Sequence, residues 1–411
     1  MTRYRKFTLL ASLYFSQGLP YGFFASALPT LLREQGVSLA NIGLANLLAL
    51  PWALKFLWAP VVDRHGSTRH GWRRSWILPL QLVAILNLMV LGSLGPTAAV
   101  GLILVCVLMN LVAATQDIAT DGLAVELLNS EERGLGNGIQ VGGYRVGMIV
   151  GGGLLLVIVG RVGWTLSFLA MAGVLAVASL PILFYKEPAI ERGDRAQPAA
   201  SSLLGSLSRP GIWLWLVLLV IYKSGDAIAS GMINPFLVDS GLSVQQVGWL
   251  STLGSIASFV GAFVGGWGIT RLGRRRGLLF FGLLQAVAVA GYVIAAFTSE
   301  TGGLTSYGFL TALSIAEHFT GTMATVALFT MMMDVCRPGL GATDYTLQAS
   351  VVVIAQLGAR SLSGFSADQL SHLGNFTLSA GLSLVGAILA GLLLQNASFR
   401  DRLLGPTESS W

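Results

Sequence analysis

The chain's 411 residues are 54% hydrophobic and only 11% charged, against roughly 25% charged residues in soluble domains. That polar fraction cannot coat a water-soluble enzyme of this size. The net charge of +6 sits between long apolar blocks, so it reads as a topology signal that needs no nucleic acid. Blocks of about twenty residues exclude an outer-membrane barrel, whose strands are short and alternating. Cys106 and Cys336 lie in or at the ends of apolar stretches, which indicates neither a disulfide scaffold nor a metal site.

The expected fold is all-α and polytopic, with twelve transmembrane helices. In chain order the apolar stretches lie near 7–32, 39–62, 76–94, 97–128, 134–160, 163–184, 211–239, 243–270, 277–298, 304–335, 340–368 and 375–396. Arg3, Arg5 and Lys6 before the first give it the look of a signal peptide ending at Ala25-Ser26-Ala27. Gln17 breaks that run and Leu31-Leu32 extend it, so it reads as a retained span. Gln17-Gly18-Leu19-Pro20 either kinks this helix or offers polar groups to a solute. In the second span Lys55 stands eight residues before Asp63, close enough for its stem to snorkel to the inner surface. The fifth repeats Gly138, Gly142, Gly143, Gly147 and Gly151, a small face for close helix packing. Trp52, Trp58 and Trp164 read as interfacial anchors or packing residues.

Residues 185–210, rich in charge, Pro, Ala and Ser, have the composition of a solvated linker. They divide an N-terminal six-helix bundle, 1–184, from a C-terminal one, 211–396, with a tail at 397–411. Basic residues concentrate on one side, which places both termini in the cytoplasm. The halves echo each other: GVSLANIG from Gly36 returns as GLSVQQVG from Gly241, and RGLGNG from Arg133 as PGLGAT from Pro338. Asp63-Arg64 with Arg73-Arg74 matches Thr270-Arg271 with Arg274-Arg275-Arg276. Internal duplication of this kind marks transporter folds.

Charges within spans carry the functional signal, since each costs about 2.5–3.5 kcal/mol at mid-membrane and persists with a partner or a hydrated cavity. Counting outward from the turn near Glu131 puts Asp117 and Arg145 at one depth, with Asp121 one turn from Asp117 on the same face. The same count about Pro338 sets Glu317 level with Arg360. Each pair reads equally as a substrate or proton site and as a salt bridge or gate latch. His318, beside Glu317, adds a group titrating near neutrality, or simply bonds a carbonyl. Lys223 and Asp226 are spaced to neutralise each other, whether lining a cavity or not. No phosphate loop, HExxH or GxSxG motif occurs, so no enzymatic chemistry, cofactor or metal is expected and energy must come from a gradient or a partner.

Two six-helix halves with D-R…R-R after the second span and its copy after the eighth resemble the major facilitator superfamily. KFLWAPVVDRHG (Lys55 to Gly66), ATQDIATDG (Ala114 to Gly122) and EERGLGNGIQVGGYRVG (Glu131 to Gly147) resemble its muropeptide permease branch. That resemblance implies cavity or gate roles for Lys55, Gln116, Asp117, Asp121 and Arg145. It implies a cytoplasmic gate motif of Asp63, Arg64, Arg73 and Arg74, mirrored by Arg271, Arg274 and Arg275. The compact twelve-span form, with YFSQGLPYGFFASALPTLLREQG at Tyr14 to Gly36, is similar to related siderophore permeases. The resulting expectation is proton-coupled import of a siderophore or its iron complex across the bacterial inner membrane by alternating access. Anhydromuropeptide uptake is the alternative, and a non-transporting sensor or lipid scramblase the reading from another class. Candidate solute or proton ligands are Gln17, Lys55, Gln116, Asp117, Asp121, Arg145, Lys223, Asp226, Glu317, His318 and Arg360; the partners are a small solute, protons and the bilayer.

Overall fold

A computed structural model describes residues 1–29, 31, 50–95, 99–187 and 199–404. The first repeat copy at Gly36 and the start of the second span lie outside the described residues. Among the described residues there is no strand, only a bridge between Ser67 and Gly71 in the loop after the second span. The first helix, Arg3–Gly22, continues through a π turn at Phe23–Ala27. The second span reaches the loop that follows it in pieces, Leu50–Leu54, a 3₁₀ turn at Lys55–Leu57, and Ala59–Arg64. Pro60 explains the break: it lacks an N–H to donate to an earlier turn and is suited to the start of a new helix.

Arg74–Leu94, Ala99–Leu127 and Ser130–Ile149 follow, the last running through a π turn at Val150–Leu154 into Leu155–Val162. Trp164–Ala178 and Leu180–Phe184 complete the first half. In the second half come Ile212–Asp239, Val244–Leu272, Arg274–Glu300 and Tyr307–Asp334. The run Gly341–Gln395 is 55 residues long and is two helices meeting at Ser371, whose φ is 61°. At about 1.5 Å per residue it is long enough for two crossings. Gly273, at φ 80°, makes the sharp reversal between Leu272 and Arg274, a backbone setting that favours glycine.

Eight of the described helices are long and apolar enough to cross a membrane. Their outward faces carry Leu104, Val287 and Trp213, each more than 60% exposed. Lipid is the solvent that makes such surfaces stable. Polar residues are turned inward instead: Gln17, Lys55, Asp121, Lys223 and Gln285 are all at most 3% exposed.

Two compact units emerge. Unit 1 comprises Met1–Leu128, Ile139–Leu204 and Cys336–Ser350; unit 2 comprises Asn129–Gly138, Gly205–Val335 and Val351–Trp411. Unit 1 packs around Phe23, Leu88, Met109 and Phe168. Its first helix meets the fifth span through glycines: Gly18 lies on the Tyr144 carbonyl, Gly22 on Met148, Gly147 on Phe15 and Leu19, and Gly151 on the Leu19 carbonyl. Unit 2 packs around Phe236, Tyr292 and Phe376, and Gly261 and Gly265 bring Val244–Leu272 against the backbone of Phe319 and Met323.

Candidate functional site

The strongest concentration of buried charge is in unit 1. The break before Pro60 turns Lys55 inward, where it is 3% exposed; it does not snorkel. Its Nζ bonds the carboxylate of Asp117 and stands 3.8 Å from Asp121 Oδ2. Asp117 and Asp121 sit one turn apart on Ala99–Leu127. Tyr14, from the first helix, donates its hydroxyl to Asp121 Oδ1 at 2.9 Å, and Gln140 Nε2 reaches the same oxygen at 3.4 Å. Lys55 also lies 5.6 Å from the Trp52 ring centre, an added cation–π attraction.

Two carboxylates therefore share one ammonium. In a low-dielectric interior the second carboxylate calls for a proton, a cation or a hydrogen-bonding solute. Gln17 and Gln116, both candidates from the sequence, supply further unmet capacity. Among the described residues neither amide atom of Gln17 has a hydrogen-bond partner, nor has Gln116 Nε2, although both residues are buried. Such groups are uncommon enough in folded interiors to mark a place where water or a ligand is bound.

Asp117 is thus taken by Lys55, the partner that depth counting assigns to Arg145. Arg145 itself is half-buried next to Tyr144. Equal depth fixes height along a helix but not the direction a side chain faces, and the broken second span brings Lys55 to this carboxylate. The same correction applies in unit 2, where Glu317 bonds neighbouring His318 at 2.7 Å and Arg360 is exposed. His318 Nδ1 also lies 2.9 Å from the Ser314 carbonyl. Lys223 pairs with Asp226 at 2.6 Å and bonds Thr325 Oγ1 at 3.0 Å. Of the tryptophans expected to be interfacial anchors or packing residues, Trp52 is buried and donates to Asn110 Oδ1, and Trp58 donates to Thr115 Oγ1. Trp164 donates to the Leu91 carbonyl.

The residues expected to form a gate motif make a second charged assembly. Asp63 accepts from Arg73, from the Thr343 N–H at 2.6 Å and hydroxyl at 2.5 Å, and from the Ala342 N–H at 3.3 Å. A carboxylate there satisfies the free donors and the positive end of the Gly341 helix. Arg73, fully buried, also bonds Glu126 at 2.6 Å. Burial opposes its charge, but Glu126 and Asp63 outweigh that and hold its pKa above the ordinary arginine value. Glu187 accepts the backbone N–H groups of Arg73 and Arg74, while Arg74 Nη2 bonds the Leu183 carbonyl at 2.6 Å; Arg64 is exposed. In unit 2 Arg274 and Arg133 share Asp334, at 2.6 and 2.7 Å. Arg275 bonds the Gly391 carbonyl, and Arg271 lies exposed over the Trp267 ring.

Sequence reasoning missed Tyr14, Gln140, Tyr345, Glu126, Glu187 and Asp334. For Glu126 and Asp334 a signal exists: each lies near the C-terminal end of the fourth span of its half and binds the arginine after the second span. Carrying the internal repeat through to acidic residues finds both. Tyr14 and Gln140 carry no such signal, since neutral side chains in apolar helices do not advertise a partner.

Comparison with known proteins agrees with this build. Residues 224–410 match the Major Facilitator Superfamily model and residues 6–100 the Acetyl-coenzyme A transporter 1 model. The Escherichia coli K12 protein "Anhydromuropeptide permease" is 31% identical over 388 residues, covering 93% of this chain and 78% of the relative. A "Putative transporter AmpG 4" of Rickettsia conorii is 26% identical, covering 81% and 83%. Among solved structures, the human organic anion transporter MFSD10 superposes with a TM-score of 0.74 at 14% identity over 95% of this chain and all of that one. A structure of the E. coli fucose:proton symporter FucP gives 0.67 at 13% over 95% and 99%. At those identities the structures speak for fold alone. The fold is that of a multi-pass secondary transporter, a class of carriers rather than enzymes. Within it, the chain belongs to the anhydromuropeptide permease family of the major facilitator superfamily.

Proposed function

We propose that the protein carries an anhydromuropeptide across the bacterial inner membrane, coupled to protons, with both termini in the cytoplasm. The observation that carries this reading is the buried Lys55–Asp117–Asp121 cluster, on a chain similar to an anhydromuropeptide permease over 93% of its length. A muropeptide presents carboxylates, amides and hydroxyls. Its carboxylate can replace Asp117 on Lys55, and Asp117, losing its counter-charge, takes up a proton. Return of Asp117 to Lys55 then releases both. Gln17 and Gln116 supply hydrogen-bonding groups for the neutral part of the solute. Movement of residues 1–184 against 211–396 would expose the site alternately to the two sides.

The siderophore reading rests on the compact twelve-span form and the segment Tyr14 to Gly36, and the relatives give it no support. This compact chain aligns with 78% of a muropeptide permease, so its length does not separate the two substrates. The test is uptake of a radiolabelled anhydromuropeptide into right-side-out membrane vesicles. Uptake is expected to fall about tenfold or more with a protonophore and likewise in Asp117→Asn. Uptake unchanged by both removes proton coupling.

A further inference from the structure

Asp121 contacts more than the lysine. Gln140, buried on Ser130–Ile149, lies between Asp121 Oδ1 and the Tyr345 hydroxyl: its Nε2 is 3.4 Å from the first and 3.3 Å from the second, and its Oε1 is 3.5 Å from that hydroxyl. Tyr345 is 1% exposed and stands two residues beyond Thr343, whose N–H and hydroxyl are held by Asp63. The segment Cys336–Ser350 packs within unit 1, and from Val351 the same helix runs on as part of unit 2. At its start the segment is held to unit 1 by Arg337 Nη2 on the Ser202 carbonyl at 2.9 Å, and further on by two ties of different character. Asp63 is locked by the permanent charge of Arg73. The second point, through Tyr345, ends on a carboxylate of the transport cluster.

An amide in that position responds to charge. While Asp121 is ionised it accepts only, so Gln140 turns its NH₂ toward it and leaves its oxygen free to accept from the Tyr345 hydroxyl. When Asp121 carries a proton it becomes a donor, the amide's orientation is no longer dictated, and the contact of Gln140 Oε1 with the Tyr345 hydroxyl loosens. We propose that Gln140 and Tyr345 are positioning residues for transport, linking the charge of Asp121 to the hold on residues 336–350. The link gives cargo and proton binding a mechanical output along a continuous helix. It rests on the reading that the cluster changes charge during transport.

Cys336 reports on the link directly, being half-buried within the segment and accepting from Gln348 Nε2 at 3.7 Å. The experiment follows alkylation of Cys336 by N-ethylmaleimide in the full chain, reconstituted in lipid vesicles in a Cys106→Ala background. Tyr345→Phe and Asp121→Asn are each expected to speed labelling about fivefold, as local opening of the segment becomes easier. Combined, they are expected to be no faster than the faster single variant, the signature of two residues acting through one link. Gln140→Leu with Tyr345→Phe forms a second cycle with the same expectation should Asp121→Asn fail to fold. Unchanged rates, or rate effects that multiply, overturn the proposal. Labelling needs no solute, so the outcomes separate: a working link without muropeptide transport sinks the substrate reading alone, and transport with independent labelling effects sinks the link alone.

Discussion

Lys55→Met is expected to lose about 3 kcal/mol of stability, the effect of removing one partner from a buried ion pair, together with concentrative uptake. The methionine keeps the volume of the side chain but leaves Asp117 and Asp121, one turn apart, without the ammonium they share. Their side chains are only 10% and 2% exposed, so neither water nor salt screens the repulsion. Adding Asp117→Asn removes one of the two charges, and the double variant is expected to recover most of the stability and none of the uptake. Thermal unfolding in detergent checks the first part and vesicle uptake the second. A single variant that melts with the parent contradicts the account of what holds the cluster.

Gly151→Val is expected to leave almost no folded protein. A Cβ at Gly151 falls on the Leu19 carbonyl, which is backbone and cannot rotate away as a flexible side chain would. Overpacking of a core side chain costs about 1–3 kcal/mol. Here the first helix as a whole must move, and the contacts of Gly18, Gly22 and Gly147 along the same seam go with it. Tyr14 would be drawn off Asp121 by the same shift, so any residual folded protein is expected to transport poorly. Gly173→Ala is the matching control: its Cβ meets nothing within 4 Å, and better helix propensity should stabilise by about 0.5–1 kcal/mol. Yield of monodisperse protein by size-exclusion chromatography distinguishes the two.

The helical class of the fold, its apolar spans and the glycine seam were legible because each depends on composition and spacing along one chain. The cluster was half-legible. Asp117 and Asp121 stand out as charges where charge is expensive, but their cation could not be chosen by depth alone. Spacing alone, eight residues from Asp63, lets Lys55 snorkel from a continuous helix, whereas the family resemblance implies a cavity or gate role; Pro60 is the sign that the helix breaks and that the lysine turns inward. Arg360 failed as a partner for Glu317 for the related reason that equal depth says nothing of azimuth. Tyr14, Gln140 and Tyr345 were out of reach, since a tyrosine or glutamine becomes informative only when its neighbour in space is known. The relatives favour an anhydromuropeptide over the siderophore expected from the compact form and the Tyr14 to Gly36 segment; chain length is a property that insertions alter without touching the site.

The most direct test of the central claim is tracer counterflow in proteoliposomes holding the purified protein. With unlabelled anhydromuropeptide inside and a labelled tracer outside, the account predicts transient accumulation of label above equilibrium, abolished in Lys55→Met. Simple equilibration, or no entry of label at all, would contradict a muropeptide carrier built around Lys55, Asp117 and Asp121.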